Sequence, residues 1–127
     1  MSYVQAEKPK RMKVLVVEDD GPTRTAISRL IRQTGADVTT ARDGEEGLGH
    51  MLAQRFDVLL TDLRMPIMDG IEMLQHVMKL PDTRRPERII AISGEYDRGV
   101  LRGAPVAFMQ KPFNIDALLE MLQGKPN

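Results

Sequence analysis

VLVVEDDG, residues 14–21, runs four apolar residues straight into three carboxylates, Glu18, Asp19 and Asp20, and then a glycine. A strand covered on both faces has this kind of continuous apolar reading. The acids that follow pose a conflict, because carboxylates a few ångströms apart repel and raise one another's pKa. They are either a solvated loop or one half of a site whose other half is positive.

Outward from this stretch the chain alternates in type. KVLVV (13–17), ADVTT (36–40), DVLLT (57–61), RIIAIS (88–93) and VAFMQ (106–110) read as strands. Between them the apolar spacing is helical. PTRTAISRLIRQTG (22–35) puts Ile27, Leu30 and Ile31 on one face, with Pro22 near the first helical position and Gly35 at the stop. DGEEGLGHMLAQR (43–55) takes Asp43 as its cap, and Gly47 and Gly49 weaken it by roughly 1 kcal/mol each relative to alanine. DGIEMLQHVMKLP (69–81) groups Ile71, Leu74 and Met78. NIDALLEMLQG (114–124) groups Ile115, Leu118, Leu119 and Leu122 between Asn114 as cap and Gly124 as stop. Strands alternating with about five helices predict an α/β fold, a single doubly wound five-stranded parallel sheet. The domain is expected over 13–123, with tails over 1–12 and 124–127.

The 127 residues suffice for one domain with a real core. Eighteen Lys and Arg balance eighteen Asp and Glu, so no global charge points to nucleic acid or to an anionic membrane. The absence of cysteine excludes disulfides and thiolate metal sites and fits a reducing compartment. No apolar run approaches the length of a signal-peptide core or a membrane span, so a cytoplasmic protein without a membrane segment is expected. Nine methionines without tryptophan read as adaptable core filler. His50 and His76 stand on helices without a second ligand at useful spacing, and DTRRPER (82–88) reads as a solvated basic loop.

Ligands of doubly wound sheets sit beyond the carboxyl ends of the strands. The residues there are Glu18, Asp19 and Asp20 after the first strand, Asp62 after the third, Ser93 at the end of the fourth and Lys111 after the fifth. A hard divalent cation relieves the crowding of the acids, since Mg²⁺ prefers oxygen ligands and keeps water or phosphate oxygens in its remaining positions. On this reading the repulsion between Glu18 and Asp19 is relieved only when the cation binds. A lysine opposite the metal completes a clamp for a phosphoryl group, and an aspartate between them can act as nucleophile to give an acyl phosphate. The pocket reads as phosphoryl transfer onto Asp62. Asp20 belongs to the turn and the start of the next helix, where a carboxylate favours the positive end of the dipole.

VLVVEDD, DVLLTDLRMPIMDG, AISG and QKPF, in this order, resemble the signature blocks of the response-regulator receiver domain of two-component signalling, over roughly Lys13 to Leu122. The resemblance is to a chemotaxis-type stand-alone receiver and implies the flavodoxin-like strand order 2-1-3-4-5. It implies Asp62 as phosphoacceptor, with Asp19 and Asp62 ligating Mg²⁺, or Mn²⁺ in its place. Glu18 would act on the metal through water and Arg64 through its main-chain carbonyl. It further implies Lys111 and Ser93 as phosphoryl-stabilising groups, Ser93 and Phe108 as the switch pair, and a cis bond before Pro112. Met65-Pro66 leads the chain off the third strand, and Asp69-Gly70 turns it into a capped helix.

Three features depart from the pattern. The segment from Ser93 to Lys111 is shorter than the resemblance implies and carries Gly94, Gly99, Gly103 and Pro105, so the fourth helix is expected to be short or irregular. Phe108 keeps a switch ring but lacks a tyrosine hydroxyl. Arg64 and Glu95 are placed to form an ion pair over the pocket and gate attacking water.

The expected function is a phosphoacceptor signalling domain. A histidine kinase or phosphotransfer protein would donate to Asp62, and the new surface would be presented to a downstream protein. The chain would be a regulator that catalyses its own phosphoryl transfer and hydrolysis, with no nucleic-acid-binding domain of its own. The alternative is a phosphorylation-independent, receiver-like interaction module. A phosphatase using an aspartyl phosphate needs a second acid where Arg64 stands. A flavodoxin-like cofactor binder needs a Ser/Thr/Gly-rich phosphate loop where the acids stand.

Overall fold

The computed structural model describes residues 11–96 and 98–124; of the expected tails, residues 1–10 and 125–127 lie outside the described residues. The elements are β1 (Lys13–Val17), α1 (Gly21–Arg32), β2 (Asp37–Ala41), α2 (Gly44–Ala53), β3 (Val58–Asp62), α3 (Gly70–Met78), β4 (Arg88–Ser93), a 3-10 turn (Arg98–Leu101), β5 (Ala107–Gln110) and α4 (Ile115–Leu122). All strand pairs are parallel, in the order β2-β1-β3-β4-β5.

The apolar strands alternate between two cores. Leu15, Val17, Leu59 and Ala91 face a layer that contains Met51 of α2 and Met73, Leu74 and Val77 of α3. Val14, Val16, Val58, Leu60, Ile90 and Ile92 face Ile27 and Ile31 of α1 and Leu118, Met121 and Leu122 of α4. Each helix starts on a side-chain cap. Asp20, Asp43, Asp69 and Asn114 accept the backbone N–H of Thr23, Glu46, Glu72 and Ala117 respectively. Such caps contribute about 1 kcal/mol each. Asp20 is therefore the structural acid of the opening run.

The helix expected between β4 and β5 is reduced to the single 3-10 turn, so among the described residues four α-helices stand where about five were read. Its glycines and Pro105 disfavour a longer helix. The chain leaves the turn through Arg102 and Gly103, both at positive φ, 51° and 76°. A groove of about 450 Å³ remains between α3 and the turn, lined by Ile71, Leu74, Met78, Val100, Leu101 and Ala104 among others.

Two glycines mark close approaches. A Cβ on Gly70 would stand 2.1 Å from the carbonyl oxygen of Asp62, so only glycine lets α3 start against the end of β3. A Cβ on Gly47 would stand 2.9 Å from Val17 Cγ2 and 3.0 Å from Met73 Sδ, which explains one of the helix-weakening residues of α2. The other, Gly49, is exposed and meets nothing within 4 Å. Urea denaturation should therefore separate two variants. Gly49→Ala is expected to stabilise by about 1 kcal/mol, and Gly70→Ala to destabilise by about 1–3 kcal/mol through overpacking.

Candidate functional site

Strand register assembles the site. Val17 pairs with Thr61, so the residues that follow, Glu18 and Asp62, leave the sheet side by side. β4 carries Ser93 alongside Gln110, and Lys111 comes next, its N–H donating to the Ser93 carbonyl at 2.9 Å. Lys111 Nζ then donates to Glu18 Oε1 at 2.9 Å and to Asp62 Oδ2 at 3.0 Å. The other Asp62 oxygen, Oδ1, accepts the N–H of Leu63 at 2.7 Å and, more loosely, that of Arg64 at 3.4 Å. Glu18 Oε2 accepts the Asp20 N–H at 3.3 Å.

Glu18 is buried, Asp62 half-buried and Asp19 exposed, and one carboxylate oxygen from each lies within 4.8 Å of the other two. An all-oxygen donor set that opens to solvent on one side suits a hard cation that retains water, such as Mg²⁺. The Lys111 ammonium holds Glu18 and Asp62 together and offsets the repulsion between those two acids.

The electrostatics follow from this arrangement. Burial pushes the Glu18 carboxyl up from 4.5 to about 7; the Lys111 hydrogen bond opposes the shift, and the Asp62 charge adds to it. Lys111 is pulled down by burial, yet its hydrogen bonds with Glu18 and Asp62 outweigh this and leave it above its ordinary value. Asp20 is held below the usual carboxylate range by the Thr23 hydroxyl and amide that it caps.

Ser93 is buried, but its hydroxyl accepts the N–H of Glu95 at 3.2 Å and of Tyr96 at 3.0 Å, so it is engaged by the following loop and not by Asp62. Phe108 lies half-buried against the α2/α3-side core, as does Tyr96. Arg64 and Glu95 form an exposed ion pair at 2.9 Å that joins the loops after β3 and β4. The Lys111–Pro112 peptide bond is cis. In the loop between β3 and α3, Ile67 is 77% exposed at φ 68°, a conformation rare for a β-branched residue.

One residue escaped the sequence reading. The Arg24 guanidinium donates to the carbonyl of Glu18 at 2.9 Å and reaches that of Asp19 at 3.4 Å. Its only signal in the sequence is a cation near a helix N-terminus, where the dipole disfavours it, just after an acidic loop.

The raised Glu18 value carries a signed consequence. Between 4.5 and about 7 the folded state holds a proton that the unfolded chain has released. The stability this contributes is complete below that window and is lost as pH rises through it. In metal-free buffer the melting temperature of Glu18→Gln, relative to wild type, is expected to climb from about pH 5 to about pH 8. A pH-independent difference contradicts the assignment.

Comparison with known proteins places this geometry. The profile of the response regulator receiver domain matches residues 14–123. The probable chemotaxis protein CheY of Rhizobium etli is 33% identical over 120 residues, covering 91% of this chain and 92% of that protein. The cell cycle transcriptional regulator CtrA of Caulobacter vibrioides is 33% identical over 115 residues, covering 89% of this chain but 49% of that protein, so the chain spans about half of that relative. The receiver domain of the sensor histidine kinase PA1611 of Pseudomonas aeruginosa, solved with a magnesium ion coordinated in its active site cleft, superposes with a TM-score of 0.81 at 28% identity, covering 91% of this chain and 97% of that one. With its parallel sheet in the order 2-1-3-4-5 and its acids gathered at the strand ends, the chain belongs to the response regulator receiver domain family.

Proposed function

We propose that the domain accepts a phosphoryl group on Asp62 from the phosphohistidine of a histidine kinase or phosphotransfer protein. The observation that carries this reading is Lys111 Nζ shared between Glu18 Oε1 and Asp62 Oδ2, with Asp19 completing a cation-sized acidic cluster. Mg²⁺, or Mn²⁺, would be held by Asp19, Asp62 and the Arg64 main-chain carbonyl, with Glu18 acting through water, and would neutralise charge on the transferring phosphoryl oxygens.

The two Asp62 oxygens are inequivalent. Oδ1 is fixed by backbone N–H groups, which leaves Oδ2, on the Lys111 side, as the nucleophile. Oδ2 forms a bond to phosphorus as the donor's N–P bond breaks, and the departing imidazole takes a proton from solvent. Lys111 moves its hydrogen bond from Oδ2 to a phosphoryl oxygen, so its charge stays paired throughout. Hydrolysis returns the group to water and regenerates the carboxylate.

Readout begins at Ser93. Turning its hydroxyl to a phosphoryl oxygen releases the Glu95 and Tyr96 amides and loosens the loop between β4 and the 3-10 turn. Phe108, packed in the same apolar cluster as Tyr96, passes this on by packing alone. The phosphoryl group thereby shifts an equilibrium between two surfaces, one of which a downstream protein binds. The exposed Arg64–Glu95 pair joins the loops after β3 and β4, and the role assigned to it is to restrict attacking water.

Acetyl phosphate with Mg²⁺, followed by intact mass, tests the reading. Wild type is expected to gain one phosphoryl group, while Asp62→Asn or chelation abolishes the gain. The Arg64→Ala/Glu95→Ala double variant is expected to lose the group faster than wild type. Absence of an Asp62-dependent and Mg²⁺-dependent adduct would leave a phosphorylation-independent interaction module as the function; an unchanged lifetime in the double variant removes the gate.

A further inference from the structure

We infer that Arg24 is a positioning residue that holds the β1–α1 acidic loop in the geometry a divalent cation requires. The inference rests on reading the pocket as a Mg²⁺ site.

Arg24 is the fourth residue of α1, close to the positive end of its dipole. The first turn of α1 contains no acid, so nothing within the helix compensates this unfavourable placement. The compensation lies in front of the helix. The guanidinium folds back over Gly21, where a Cβ would stand 3.7 Å from Nη2, and donates through Nη1 to the Glu18 and Asp19 carbonyls.

The residues on either side of Asp19 have their own anchors. Glu18 N–H donates to the Ala41 carbonyl at 3.0 Å, and Glu18 Oε2 accepts from Asp20 N–H. Asp20 is fixed by capping Thr23. Asp19 is the exposed acid of the cluster, and Arg24 grips its main chain, setting the direction in which its carboxylate leaves the loop. Groups behind metal ligands act in this way, by ordering the ligand before the ion arrives.

Two effects of Arg24 on a cation have opposite signs, which makes the inference decidable. As a positive charge near the pocket it opposes Mg²⁺; as a strut it favours Mg²⁺ by removing disorder in advance. Lysine keeps the charge but ends in a flexible, strongly hydrated ammonium, without the rigid guanidinium plane that holds Nη1 against both carbonyls.

Calorimetric Mg²⁺ titration at fixed ionic strength compares wild type, Arg24→Ala, Arg24→Lys and, as a charge control on the same helix, Arg29→Ala. Arg24→Ala is expected to weaken Mg²⁺ by about 10-fold, Arg24→Lys to bind less tightly than wild type, and Arg29→Ala to match it. Without metal, the Asp19 and Asp20 amides of Arg24→Ala should exchange with solvent faster than those of wild type. Labelling of Arg24→Ala by acetyl phosphate should recover at saturating Mg²⁺. If the alanine variant fails to fold, Arg24→Lys carries the test, and its equality with wild type overturns the inference. Unchanged or tighter binding by a folded Arg24→Ala overturns it too, since Arg24 would then act through charge alone or not at all. Wild type that binds no Mg²⁺ overturns the metal-site reading itself, which separates the two failures.

Discussion

One ammonium group ties the functional edge of this domain together. Lys111 Nζ sits between Glu18 and Asp62, one acid buried and the other half-buried, and the rest of the strand-end geometry is arranged so that it can. The reach depends on register, because β1, β3, β4 and β5 must all end at the same level. A slip of one residue in any of them would turn its side chains to the other face of the sheet. Buried pairs of this kind add little net stability when complete, but removing one partner is costly because the other charge is stranded. The ammonium thus lets the fold keep a crowded acidic pocket while leaving Asp19 open to solvent.

Much of this was legible in the chain. Continuous apolar runs such as Val14–Val17 and Ile89–Ile92 announced strands covered on both faces, and the caps Asp43 and Asn114 fell where helix signals placed them. The collapse of the segment after β4 into one 3-10 turn followed from Gly94, Gly99, Gly103 and Pro105. What could not be read were contacts made through main-chain atoms or between loops distant in sequence. Arg24 acts on carbonyls, which have no residue identity, and the need for glycine at position 47 depends on how closely α2 lies on β1. The pairing of Lys111 with both acids was also hidden, because sequence locates a lysine at the site without saying which partner it takes before any ligand arrives.

The loops around the pocket are tied to the core unequally. On one side, Asp62 Oδ1 is locked by the amides of its own loop, and Gly70 N–H donates to the Leu63 carbonyl at 2.7 Å, pinning α3 to the end of β3. On the other, the loop after Ser93 is held by that residue's hydroxyl, by the exposed Arg64–Glu95 ion pair and by half-buried Tyr96, and it leads into a single helical turn beside an apolar groove. Under the proposed function this contrast separates tasks. The rigid side positions the nucleophile, and the lightly held side is the part a phosphoryl group can re-aim at small cost.

A double-mutant cycle between Lys111→Met and Glu18→Gln, read by urea denaturation in metal-free buffer at about pH 8, tests the central interaction most directly. Lys111→Met should destabilise the wild-type background markedly and the Glu18→Gln background much less, giving a coupling of about 1–3 kcal/mol. Additive effects would contradict the account, because Lys111 would then not be the group that makes the acidic cluster tolerable.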